Sequence, residues 1–355
     1  MTATHAAVVE VLTRTYGSDR DYNVAPCAES GNNRVYRVEL DDLVLAAKCY
    51  VADPGDGRDR MGAEWGFLSA LAECQVTDVP GVRAQDAARR IALYDFVDGA
   101  VTVDTTGPRE GDVEAAARFI RRLANPHLRE TASGLSTASE ACFSTNQHFS
   151  LVRARVERLE QATAATADAS VKALVRELGV VLAKLQDTVS DPLAELGFAL
   201  DSELRAEERC LSPSDFGFHN AMRTADGTLV FIDFEYAGWD DPAKLWADIF
   251  YQPRLPVDRK FESLFLEAVL AHIAPERVDM HAKRARMLRP LFGIKWCCII
   301  LNPLLPGWGE RRFDGAELNR LRDERVRRAD AALTYLKTID VPASAAGAST
   351  LIPEN

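Results

Sequence analysis

Positive charge is what this chain is short of. Its 355 residues carry 42 Lys and Arg against 53 Asp and Glu, a formal net charge of -11. Gripping a phosphodiester backbone takes a surplus of cations, so nucleic acid is excluded as a main partner. Long apolar runs are missing too. The most apolar stretch, 291–305, is interrupted by Lys295, Asn302 and Pro303. It falls short of the ~20 residues a bilayer-crossing helix takes, so no membrane partner is expected. Cysteine is sparse and unpatterned: Cys27, Cys49, Cys74, Cys142, Cys210, Cys297 and Cys298, with no CxxC pair. That excludes a disulfide framework and points to reduced thiols in a cytoplasmic protein. The adjacent Cys297 and Cys298 have no second Cys or His pair to complete a zinc set and read as core. No basic segment leading into an apolar stretch follows Met1, so no signal peptide is read there, and no internal repeat is found.

What is present is globular. Hydrophobic residues make up 47% and charged residues 27%, in a chain long enough for two cores. A first amphipathic helix is expected over about 6–16. Alternation follows: Tyr36, Val38 and Leu40 share one face of a strand, Asp41-Asp42 turns the chain, and 43–50 is the partner strand. A helix over 58–74 and strands near 81–85 and 90–96 complete a small antiparallel sheet with one helix. From Pro108 onward the period is helical, over about 109–124, 151–162, 171–189 and 194–210. A strand-rich patch at 211–234 interrupts it before helices resume at 242–251, 259–273, 278–301 and 315–336. The expected class is α+β: an N-terminal lobe over 1–97, a larger, mainly helical lobe over 98–340, and a disordered tail over 341–355.

The densest chemistry is Ser214-Asp215-Phe216-Gly217-Phe218-His219-Asn220, followed by Leu229-Val230-Phe231-Ile232-Asp233-Phe234-Glu235. An acid that accepts a hydroxyl proton, an amide five positions on, and a second acid ending an apolar strand are what phosphoryl transfer to an alcohol uses. In this reading Asp215 is the base, while Asn220 and Asp233 hold Mg2+ against ATP. Upstream, Lys48 sits in an apolar strand and needs an anionic partner or an edge position. Met61, Glu64, Leu68 and Leu71 follow helical spacing, which puts Glu64 on the core-facing stripe as that partner. Such a lysine–glutamate pair holds the α and β phosphates of ATP in protein kinases. Ser30-Gly31-Asn32-Asn33 reads either as an ordinary hairpin turn or as a turn whose amides approach phosphate, with Gly31 and Asn33 as the contacts. Asp95, Phe96 and Val97 end the sheet, where their backbone is placed to meet adenine or serves only as a linker.

These segments together resemble the aminoglycoside phosphotransferase and choline kinase-like family, relatives of protein kinases. The resemblance runs from about Cys27 to Arg312 and is most specific over 212–248. It implies a two-lobed protein-kinase-like fold, with catalytic loop 211–220 and metal strand 229–235 in the larger lobe. It also implies ATP, Mg2+ and a small-molecule hydroxyl acceptor such as a sugar, an aminoglycoside-type antibiotic or an amino alcohol. The family loop usually reads His-Gly-Asp, four residues, then Asn; this chain has Pro213-Ser214-Asp215 and Asn220. The bracing histidine is absent, and His219 stands as a substitute brace or as a residue that packs locally. Glu235 is a weaker candidate for metal or substrate contact, Asp241 an N-cap ahead of Pro242, and Asp248 a support for the loop. Trp296, Trp308, Arg311 and Arg312 either line the acceptor pocket or are core and solvated residues, and 132–150 reads as a family insert. Two alternatives stay open: a catalytically silent kinase-like interaction module, and transfer of AMP on the same fold. Oligomeric state is not legible.

Overall fold

A computed structural model describes residues 3–29, 33–51, 57–101, 107–308 and 315–339. The chain forms two compact units, Met1–Ser139 with Leu211–Trp239, and Glu140–Cys210 with Asp240–Asn355.

In the first unit, α1 (Ala3–Tyr16) leads into five strands: β1 (Asn23–Glu29), β2 (Asn33–Leu40), β3 (Leu43–Tyr50), β4 (Val82–Asp86) and β5 (Ile91–Asp95). They form one antiparallel sheet in the order β1-β2-β3-β5-β4. The β2–β3 hairpin closes on Asp41-Asp42, and Asp41 takes φ 51°, a left-handed conformation that Asp tolerates better than most residues. Strand alternation sorts β3 into two faces. Leu45, Ala47 and Cys49 pack with Val8, Val11 and Leu12 of α1 and with Ile91 and Leu93 of β5. Lys48 and Tyr50 therefore point the other way, toward α2 (Arg60–Glu73), whose buried stripe is Met61, Glu64, Phe67, Leu68 and Leu71. Asp59 caps α2 by accepting from the Gly62 amide.

The same unit continues through β6 (Gly99–Val101), α3 (Glu110–Arg122) and α4 (Pro126–Thr131), and takes up the chain again at 211. There β7 (Cys210–Ser212) pairs with β10 (Gly238–Asp240), and β8 (Ala221–Thr224) lies between β6 and β9 (Leu229–Phe231). An aromatic stack fixes this part of the unit. Phe119 of α3 lies 4.8 Å from Phe231, 5.7 Å from Phe216 and 6.2 Å from Phe234, ring centre to ring centre.

The second unit is helical: α5 (Thr145–Thr163), α6 (Ala169–Glu195), α7 (Pro242–Tyr251), α8 (Glu262–Val269), α9 (Pro275–Ile300) and α10 (Gly315–Leu336). Buried charges organise it. Asp241 caps α7 through the Ala243 amide, as expected, and also receives two hydrogen bonds from the Arg284 guanidinium at 2.9 and 2.7 Å and one contact from His148 at 3.0 Å. Lys244 bonds Asp240 at 2.5 Å, while Asp248 takes Lys295 and the Trp296 indole, each at 2.7 Å. Asp248, expected as a support for the catalytic loop, is thus the hub of an ion network between α7 and α9. Cys297 and Cys298 are core residues whose thiols burial pushes up to about 12.

The helix expected over 194–210 is not formed. Gly197, at φ 82°, ends α6: the Gly197 amide bonds Ala194 and the Phe198 amide reaches back to Leu193, a Schellman-type stop. The chain then runs irregularly to a short 3-10 turn at Ala206–Glu208 and enters β7. No helix among the described residues is long and apolar enough to cross a membrane. Gly31, Arg311, Arg312 and the tail over 341–355 lie outside the described residues.

Candidate active site

Lys48 is the centre of the site. Its Nζ lies 2.6 Å from Glu64 Oε2 and 2.5 Å from Asp233 Oδ1, so the strand lysine and the helix glutamate meet and a third expected residue joins them. Burial works against the ammonium charge, yet the two carboxylates hold Lys48 well above the ordinary lysine range. Tyr50 shares the Lys48 face and donates its phenol to Glu64 Oε2 at 2.6 Å, with the Tyr94 hydroxyl 2.9 Å further on. Burial and the Glu64 charge raise the Tyr50 phenol, which keeps it a donor. The remaining Glu64 oxygen accepts from the Phe234 amide at 3.2 Å. Glu64 therefore fixes both the lysine and the backbone beside Asp233.

The catalytic-loop residues converge on the same segment. Ladder pairing of β8 with β9 sets Ala221 opposite Phe231, and the Ile232 amide bonds the Asn220 carbonyl at 2.8 Å, which brings Asn220 beside Asp233. Asn220 spends its Nδ2 on the Asp215 carbonyl at 2.9 Å, with the Asp215 carboxylate at 3.4 Å, and so closes the loop on itself. His219 Nε2 sits 3.3 Å from Asp215 Oδ1. The Asp215 side chain remains 42% exposed while His219 is 8% exposed, so the acid faces outward with the imidazole behind it. At Pro213-Ser214 the bracing is local. Ser212 Oγ, fully buried, accepts from the Ser214 amide at 3.0 Å, and Ser214 turns through φ 63°. Phe216 and Phe218 anchor the loop in the core.

Asp233 itself has φ 68°, a left-handed conformation that costs energy outside glycine and persists where the surroundings fix it. Here Lys48 holds the side chain and Glu64 the next amide. At the end of β5, the Asp95 amide bonds Gly81 and the Phe96 amide bonds Val44, at 2.8 and 3.2 Å. The Asp95 side chain pairs with Arg83 at 2.6 Å. Asn33 is buried and donates to Glu235, so its amide side chain is engaged inside the protein. Arg60, whose guanidinium lies 3.9 Å from Glu235, and Tyr50 are not singled out by the sequence reading. Tyr50 lies two residues after Lys48 on the same strand face, and Arg60 one helical turn before Glu64, so both were reachable by periodicity.

The sequence model of APH, the phosphotransferase enzyme family, matches residues 23–272. The chain belongs to this family. Among solved structures, this phosphotransferase-family chain resembles a putative aminoglycoside phosphotransferase from Ralstonia eutropha JMP134, with a TM-score of 0.59 at 12% identity, covering 94% of this chain and 99% of the other. A choline kinase from Cryptosporidium parvum Iowa II gives 0.56 at 11%, covering 94% and 96%. A spectinomycin phosphotransferase in complex with ADP and spectinomycin gives 0.54 at 13%, covering 92% and 98%. At such identities the likeness is one of fold, the two-lobed protein-kinase-like fold expected from the sequence. No curated protein matches the sequence.

Proposed function

We propose that this phosphotransferase moves the γ-phosphoryl group of ATP to a hydroxyl of a small molecule. The observation that carries the reading is the double engagement of Lys48 by Glu64 and Asp233, within one compact unit that also holds Asp215 and Asn220. Lys48 is held charged and aimed at the α and β phosphates by Glu64, which is in turn locked by Tyr50 and the Phe234 amide. Asp215 orients the acceptor hydroxyl and takes its proton as the new O–P bond forms and ADP leaves. Its exposure suits a group that must meet an incoming substrate. Val97 supplies the amide that meets adenine, since those of Asp95 and Phe96 are already used in the sheet.

Among the described residues no cluster of three or more His, Cys, Asp or Glu side chains is placed to hold a metal ion. Mg2+ in a nucleotide site does not require one, because it keeps waters and phosphate oxygens and takes only one or two protein ligands. Asn220 and Asp233 fit that role. With Nδ2 bound to Asp215, the Asn220 amide has its Oδ1 for a hard cation, beside the Asp233 carboxylate. Once bound, the ion would neutralise charge on the transferring phosphates.

Choline, ethanolamine and spectinomycin are acceptors named for structural neighbours, and a sugar, aminocyclitol or amino alcohol is the class we assign here. Incubation with Mg-ATP and a panel of those three classes is expected to release ADP and a phosphorylated acceptor. Release of AMP would replace this reading with nucleotidyl transfer, and absence of both product release and nucleotide binding would leave a silent module. Asp215→Ala is expected to abolish turnover and keep nucleotide binding.

A further inference from the structure

Residues 233–236 follow the end of β9 into a turn, closed by the Ala237 amide on the Phe234 carbonyl at 3.0 Å, and their side chains leave in different directions. Asp233 turns to Lys48 of β3. Phe234 turns to Phe67 of α2, with ring centres 5.0 Å apart. Glu235 turns back to Asn33, the first residue of β2, whose Nδ2 donates to Glu235 Oε2 at 2.5 Å. The second carboxylate oxygen, Oε1, has Arg60 of α2 at 3.9 Å. Glu235 and Asn33 are 4% and 2% exposed. Next to them, the guanidinium groups of Arg58 and Arg60 face the Tyr236 ring at 4.8 and 5.5 Å, and Arg58 donates to Ser139 Oγ at 2.5 Å. Burial and the Glu235 charge raise the Tyr236 phenol.

A buried carboxylate persists only where it is paired and hydrogen-bonded; Glu235 accepts from Asn33 at one oxygen and has the Arg60 guanidinium 3.9 Å from the other. β2 and β3 are adjacent strands, with Asn33 opposite Tyr50 and Val35 opposite Lys48. The short segment from 233 to 235 is therefore held from both strands. Lys48 and the Glu64 bond to the Phe234 amide hold Asp233 on one side, and the Glu235 contact with Asn33 holds the chain just after it. We propose that Glu235 is a positioning residue, clasped by Asn33 and Arg60, that sets the orientation of Asp233, and that it is not a metal ligand. This rests on the nucleotide-site reading above for its consequence on binding.

The clasp is testable by exchanging donor and acceptor. Asn33→Asp sets two carboxylates face to face. Glu235→Gln keeps an oxygen that accepts from Asn33. The double variant N33D/E235Q restores the pair with its roles reversed. In the purified full chain, N33D is expected to lower the thermal midpoint and to weaken Mg-ATP binding by about tenfold or more in calorimetric titration. E235Q keeps an acceptor for Asn33 but loses the charge facing Arg60, so it is expected to lower the thermal midpoint and to weaken Mg-ATP binding less than N33D does, with the Mg2+ concentration giving half-maximal binding unchanged. The double variant should recover most of both losses. A metal ligand at 235 gives the opposite pattern: E235Q raises the Mg2+ requirement about tenfold, and the double variant is no better than N33D. That result overturns the proposal. If N33D fails to fold and the double variant folds, the rescue is itself shown; if neither folds, the Mg2+ requirement of E235Q decides. Thermal midpoints are read without nucleotide. A parent protein that binds no Mg-ATP would thus sink the nucleotide-site reading, while rescue by the double variant would still establish the clasp.

Discussion

Asp215 and Asp233 are both acids of the candidate site, and under the proposed function their surroundings suit them to different work. Asp233 is tied to Lys48 and held in a left-handed backbone, while Asp215 is turned outward with His219 and Asn220 behind it. A proton acceptor that is lost costs ~10²–10⁴-fold in turnover, so Asp215→Asn is expected to reduce kcat by about that factor with little change in nucleotide affinity. Steady-state kinetics beside calorimetric titration check the split. Tyr50→Phe removes a buried donor from Glu64, which is expected to cost about 1–3 kcal/mol, read from the urea midpoint. At this scale the sequence was informative wherever period decides direction. Lys48 and Glu64 were found as a pair because alternation and helical spacing both aimed them at one place. The turn at 30–33 reads from the sequence only as a hairpin or a phosphate approach by backbone amides; that the Asn33 side chain bonds Glu235, 202 positions away, is a separation that no local pattern reports.

Among the elements, α7 and α9 show buried charge used alongside apolar packing. Asp241 has four hydrogen-bond donors around it in a fully buried place: the Ala243 amide, the His148 ring and both arms of Arg284. Removing one partner of such a pair strands the other, so Arg284→Met is expected to destabilise the helical unit by about 3–5 kcal/mol. Burial alone would raise the Asp241 carboxyl, but Arg284 and His148 outweigh it and hold it far below the ordinary carboxylate range. A depressed folded value means that the stabilisation is full above about pH 4, the unfolded value, and is lost as pH falls through the acid range. Urea midpoints should therefore fall on acidification, and less steeply in Asp241→Asn. N-cap chemistry at Asp241-Pro242 was legible from the sequence; the burial that couples it to Arg284, 43 positions on, was not. The helix read over 194–210 went the other way. Its residues after Phe198 are good helix formers, and the stop at Gly197 outranked them through backbone conformation alone.

For the whole molecule, the five residues Lys48, Glu64, Asp215, Asn220 and Asp233 fall in one compact unit, although the chain leaves that unit at 139 and returns at 211. Bound nucleotide should stabilise this unit by mass action, about 2.7 kcal/mol at a hundredfold excess over Kd. Hydrogen exchange with and without Mg-ATP is expected to show protection concentrated in β2, β3, α2 and the 212–236 segment, with the α5–α6 pair little changed. Uniform protection of both units would contradict this. The change from a small sheet to a mainly helical part was legible from the switch between a period near two and a period near 3.6 at Pro108; the return of 211–239 to the first unit was not.

The return of the chain also bears on synthesis. The sheet, α2 and α3 are translated first, but the partners that complete their interior, Phe231 against Phe119, Phe234 against Phe67 and Glu235 against Asn33, come about a hundred residues after Ser139. At ~5–20 residues per second the ribosome needs roughly 5–20 s to deliver them. During that interval the nascent N-terminal part has its aromatic partners and the second acid of Lys48 still to come.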